Sequence, residues 1–120
     1  MIVIEAKDLS IGNLVFVYDT GYEKWLPIKI KKENFNYSLK NFKPIPITEE
    51  WLLRFGFVDN VIKLNSEWLY LKIELNVQNF DNVLIGDNRN GIRLPYKLEF
   101  VHQLQNFYHS LTGEELKIKK

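Results

Sequence analysis

PIPITEEWLLRFGF, residues 44–57, is the stretch whose local chemistry fixes one element from end to end. Pro44 and Pro46 hold the approach extended, because proline pushes the residue before it out of the helical region. Thr48 can cap a helix with its hydroxyl, and Glu49 and Glu50 fall in the first turn, where the helix dipole favours acids. Gly56 supplies a left-handed stop. Ile47 and Leu52 occupy the hydrophobic-staple positions, and Leu52 and Phe57 match the apolar contact that accompanies a glycine C-cap. This pattern predicts a short helix over residues 49–55.

Strand signals surround it. Residues 2–5 and 13–18 (NLVFVY) read as strands with a turn at Gly12 and Asn13, and DTGYE makes the next turn. KWLPIKIKK (24–32) alternates, with Leu26, Ile28 and Ile30 on one face and Trp25, Lys29 and Lys31 on the other. Pro27 cannot donate to a ladder, so this strand belongs at an edge or a bulge. The polar segment from Glu33 to Lys43 is a hairpin connection or a short irregular strand.

Downstream, FVDNVIKLN and EWLYLKIELNV are two runs separated by Asn65 and Ser66. In the second, Leu69, Leu71, Ile73 and Leu75 face one way, and Trp68, Tyr70, Lys72 and Glu74 the other. VLIGDNRNGIRL has the form of a hairpin with Asn90-Gly91 in its turn. The last element is a helix from about Tyr96 to Thr112, stopped by Gly113. The expected fold is a single α+β domain, residues 1–120: a mainly antiparallel sheet with a short middle helix and a longer C-terminal helix packed on it.

Composition excludes several chemistries. With no cysteine there are no disulfides, thiolate metal sites or thiol nucleophiles. The start, MIVIEAKD, lacks the basic region of a signal peptide, and no apolar run approaches the ~20 residues of a spanning helix. A cytosolic protein that does not enter membranes is expected. Net charge is only +1, but between Lys24 and Lys43 six lysines stand against the single acid Glu33.

His102 and His109 share one helix face in LEFVHQLQNFYHSLTGEEL (98–116). Phe100, Val101, Leu104, Phe107, Tyr108 and Leu111 fall within an arc of core-facing width, which sets both histidines, with Glu99, Gln103 and Asn106, on the side away from the core. Histidines seven apart lie roughly 10 Å from each other, too far to share one metal ion. His102, Asn106 and His109 are therefore candidates for a partner or oligomer contact, not for catalysis or metal binding. GDNRNG (86–91) has neither a Walker lysine nor the alternating acids of a calcium loop, and reads as a hairpin turn, with Arg89 at its tip available to an anion or a partner. Glu49 and Glu50 are explained by their place in the first helical turn. No serine elbow, GxGxxG or HExxH is present, so neither an enzyme nor a cofactor is expected.

The candidate ligand surface is aromatic and basic: Trp25, Lys29 and Lys31 on one strand, Trp68, Tyr70 and Lys72 on another. If both strands lie in one sheet with these faces together, the surface can stack a base and neutralise a phosphate. The competing role is packing beneath a helix, with the lysine stems at the rim. Register decides between them.

Three stretches, LSIGNLV (9–15), PIPITEEWLLRFGF (44–57) and YKLEFVHQLQNFYHSLTGEEL (96–116), resemble a group of small uncharacterised proteins of Bacteroidetes phages and prophages. They share an IGN opening, a PIPLTEE helix and a VHQLQN…LTGEEL end. The resemblance includes His102 but not His109, and it carries no catalytic residues. It implies a setting, the cytosol of an infected host, and a protein that works by binding. The expected function is capture of a host component: a small nucleotide signal or a defence protein. A nucleic-acid-binding accessory for phage replication or packaging, and a homo-oligomeric structural protein, are the alternatives.

Overall fold

The computed structural model describes residues 9–31, 42–64, 69–75, 81–87 and 91–119. In chain order the elements are β1 (Leu14–Asp19), β2 (Lys24–Lys29), β3 (Phe42–Lys43), α1 (Glu49–Arg54), β4 (Val61–Lys63), β5 (Tyr70–Ile73), β6 (Val83–Gly86), β7 (Gly91–Leu94) and α2 (Val101–Thr112). They form two antiparallel sheets, ordered β2-β1-β3 and β4-β5-β6-β7, with the two helices, so the α+β expectation holds. Residues 2–5, Trp68 and Arg89 lie outside the described residues.

Local chemistry behaves as read. Thr48 Oγ1 accepts from the Trp51 N–H at 3.3 Å, and Glu50 pairs with Arg54 one turn on. At the other end Gly56 is left-handed (φ 95°); its N–H donates to Leu53 and that of Phe57 to Leu52. That pair of hydrogen bonds is the Schellman stop, and it buries Leu52 and Phe57 together in the core. Pro27 sits on β2, an edge strand, where no donor is missed. In the Asp19–Lys24 turn, the Asp19 carboxylate accepts from the N–H groups of Gly21 and Tyr22.

The four-stranded sheet sends Leu71, Ile73 and Val83 into the main core. There they meet Leu52, Phe55 and Phe57 from the α1 region and Val101, Leu104 and Tyr108 from α2. One face of the three-stranded sheet adds Leu14 and Phe16 to this core, and its other face builds a second cluster from Val15, Ile30, Phe42 and Leu9.

The last helix departs from expectation. It begins at Val101, not near Tyr96, because residues 98–101 already have extended partners. The Asn82 side chain bonds both backbone groups of Leu98 at 2.8 Å, the Ile47 N–H donates to Glu99, and the Val101 N–H donates to Ile45. Gln103 then closes the helix start by accepting from the N–H groups of Glu99 and Phe100.

The buried stripe is also turned relative to the sequence reading. His102 is 4% exposed, its ring stacked parallel to Phe100 at 6.1 Å, so it cannot serve as a surface contact. Leu111, assigned to the core by periodicity, is 41% exposed, whereas Gln105 is buried. Periodicity weighs apolar residues only. Here an extended segment folds over the first helical turn, and β1 docks on the glutamine side through hydrogen bonds that periodicity does not count.

Because Asn82 does the work of a strand neighbour for Leu98, Asn82→Leu should leave two buried backbone groups without partners. The expected loss is about 2–4 kcal/mol in urea unfolding with an unchanged m value.

Candidate functional site

The two halves of the expected aromatic–lysine surface lie on different sheets. Trp25 and Lys29 belong to β2 of the three-stranded sheet and Lys31 follows it, while Tyr70 and Lys72 belong to β5 of the four-stranded one. Their faces are also opposed. Trp25 pairs with Tyr18 and Lys29 with Leu14, which places them on the face that carries Leu14 and Phe16 toward the main core. Tyr70 and Lys72 alternate with the buried Leu71 and Ile73, so they look away from that core. A single combined platform is therefore ruled out. Neighbouring strands had to be assigned to sheets by long-range pairing, which no alternation within a strand specifies.

The outward face of the four-stranded sheet has its own geometry. Across the strands one row reads Lys63, Tyr70, Gly86, Gly91, and the row on its other side reads Val61, Lys72, Leu84, Arg93. Two directly opposed glycines leave two adjacent positions bare. With strands ~4.8 Å apart, that gap is about 10 Å across. The result is an open trough of about 340 Å³, floored by Gly86 and Gly91 and lined by Tyr70, Lys72, Leu84, Val61 and Asp87.

Tyr70 stands beside Gly86, the arrangement in which an aromatic ring shields a cross-strand glycine. That accounts for one glycine only. A Cβ placed on Gly91 would meet no atom within 4 Å, so the second position is open space. Arg93 is occupied by the Glu74 carboxylate and the Asp81 carbonyl. Lys72 is exposed and, among the described residues, has no ion-pair partner. The trough thus offers an apolar floor and one ring, with the Lys72 ammonium and the Asp87 carboxylate in its lining.

A second, more polar cleft of about 260 Å³ lies where the IGN segment meets α2, lined by Ser10, Gly12, Asn13, Asn106, His109 and Glu115 among others. Its polar groups are largely engaged in holding the fold. Gln105 accepts from the Leu14 N–H at 2.7 Å and donates to the carbonyls of Gly12 and Leu116. Asn13 donates to Asn106 Oδ1 at 2.9 Å and accepts from the Ser10 N–H, and Lys29 pairs with Glu115. Of the expected His102–Asn106–His109 contact face, His109 alone is exposed: His102 is buried and Asn106 is half-buried against Asn13. The sequence reading missed Gln105 altogether, because a glutamine within an amphipathic helix gives no sign of which backbone groups it will satisfy.

Among the described residues no group of three or more histidine, aspartate or glutamate side chains is placed to hold a metal ion, and no helix is long and apolar enough to cross a membrane. Comparison with protein-family models, curated protein sequences and solved structures finds no match to this chain.

Gly12 is a fold-keeping residue of the polar cleft. Its φ is 98°, and an added Cβ would lie 2.8 Å from Glu115 Oε1. Gly12→Ala should destabilise the protein by about 1–3 kcal/mol in thermal or urea unfolding.

Proposed function

We propose that this chain is a non-enzymatic binding protein that holds a small ligand combining a flat ring with an anionic group, of the nucleotide class, in the trough of the four-stranded sheet. One observation carries this reading: a glycine floor left open beside Tyr70, with the Lys72 ammonium at its rim. A volume near 340 Å³ is at the small end of ligand sites, suited to a mononucleotide-sized molecule and not to an extended chain. The ring would lie over Gly86 and Gly91 against Tyr70 and Leu84, and Lys72 would take the phosphate. The resemblance to small phage proteins supplies a biological sense, sequestration of a host nucleotide signal as counter-defence.

The test is native mass spectrometry of gently purified protein, followed by calorimetric titration with nucleoside monophosphates, nucleosides and inorganic phosphate. A retained mass of a few hundred daltons, and nucleotides binding more tightly than either half alone, are expected. Gly91→Val should keep or raise stability, since a β-branched residue in open space favours an edge strand, yet abolish binding by filling the floor. Lys72→Ala should weaken nucleotide binding by about 1 kcal/mol, roughly five-fold, without affecting nucleosides. Nucleotide binding that survives Gly91→Val would place the site elsewhere.

A further inference from the structure

The face of the three-stranded sheet that delivers Leu14 and Phe16 to the core continues past it into solvent. Tyr18 and Trp25, directly opposed in the β1–β2 register, are 45% and 37% exposed, with their rings edge to face at 5.5 Å. Lys43 on β3 reaches over both the Trp25 ring, 4.6 Å from its centroid, and the Phe16 ring, at 5.8 Å. In the adjoining turn Tyr22 is 73% exposed and carries the Lys24 ammonium over its ring at 5.6 Å. Three exposed rings are thus interleaved with two lysines.

The described charges around this patch are Lys24 and Lys43, with Asp19 and Glu23 in the adjoining turn. Lys24 opens β2 and Lys43 lies in β3, so one lysine stands at each edge of the sheet, while Lys29 is paired with Glu115. Of the acids at this end, Asp19 spends its carboxylate on the turn amides, and Glu23 stands in the turn itself. Among the described residues Lys24 and Lys43 have rings, not carboxylates, beneath their ammonium groups. A lysine resting on a ring gains modestly from the contact and keeps its full charge, so it is available to a stronger anion.

We propose that this face binds single-stranded nucleic acid, with bases stacking on Trp25 and Tyr18 and with Lys24 and Lys43 moving from the rings to the phosphates. Aromatic faces need bases that are not already stacked, which a strand offers and a duplex hides. Ring faces and ammonium groups accept any base and any phosphate, so binding is tolerant of sequence. This site is independent of the trough, whose residues face the other way from the shared core.

The experiment is fluorescence anisotropy with a labelled thymidine oligomer of about 12 nucleotides, within the usual span of one single-strand site, at increasing salt. Two phosphate contacts predict a slope of log K against log salt of about −1.4. Trp25→Ala should weaken binding roughly 5- to 100-fold. Trp25→Phe, which keeps a ring at the same exposed edge position, should retain most of the affinity and shows that the fold is intact. Lys43→Ala should flatten the slope by about 0.7. Gly91→Val should leave oligomer binding unchanged, and the matching duplex should bind more weakly than the single strand. No binding at low salt, binding indifferent to Trp25→Ala, equal affinity for the duplex, or loss on Gly91→Val in place of Trp25→Ala would each overturn the proposal.

Discussion

One buried side-chain amide, that of Gln105, ties three separate parts of this fold together. Its oxygen holds the start of β1 through Leu14, and its nitrogen reaches the carbonyls of Gly12 before that strand and Leu116 beyond α2. Between them these are the points where the smaller sheet and the C-terminal segment meet the helix. A buried amide that satisfies its partners fixes direction and register as well as contact, because any shift leaves several polar groups stranded at once. Apolar burial supplies the cohesion of the main core, but it would tolerate sliding that Gln105 does not.

The same device recurs. Asn82 pairs with both backbone groups of Leu98, and Asn13 links the turn at Ser10 to Asn106 on the helix. These amides join segments that lie beyond the ends of the ladders. Three stretches distant in sequence converge here: the IGN turn docks on Gln105 and Asn106, and Ile45 and Ile47 of the PIPITEE stretch pair with the backbone at Glu99–Val101. In this structure these stretches are where the parts are joined. The two candidate binding surfaces lie apart from them, on the outward sheet face and at the Trp25 end of the smaller sheet.

What was legible in the sequence follows from the same division. The helix over residues 49–54 was readable because its cap, dipole and stop all lie within ten residues, and Pro27 announced an edge strand for an equally local reason. The alternation of Tyr70, Leu71, Lys72 and Ile73 gave the correct inward and outward faces. What could not be read depends on partners far along the chain. The start of α2 is set by Asn82 and the Ile45–Ile47 backbone, the burial of His102 by the fold-over of Phe100, and the separation of Trp25 from Tyr70 by strand pairing. The open floor at Gly91 was hidden because a glycine in a turn motif and a glycine opposite another across a sheet look alike in one dimension.

The position of the C-terminal segment has a consequence for how the chain is made. Leu116 is buried in the main core, and the Lys119 N–H donates to the Arg54 carbonyl at the end of α1. Both sheets therefore leave the ribosome before the segment that clasps them to the first helix. At ordinary translation speeds, about 5–20 residues per second, the smaller sheet waits for seconds with Leu14 and Phe16 uncovered. The docking of Leu116 and the Lys119–Arg54 bond then close the main core beside that face.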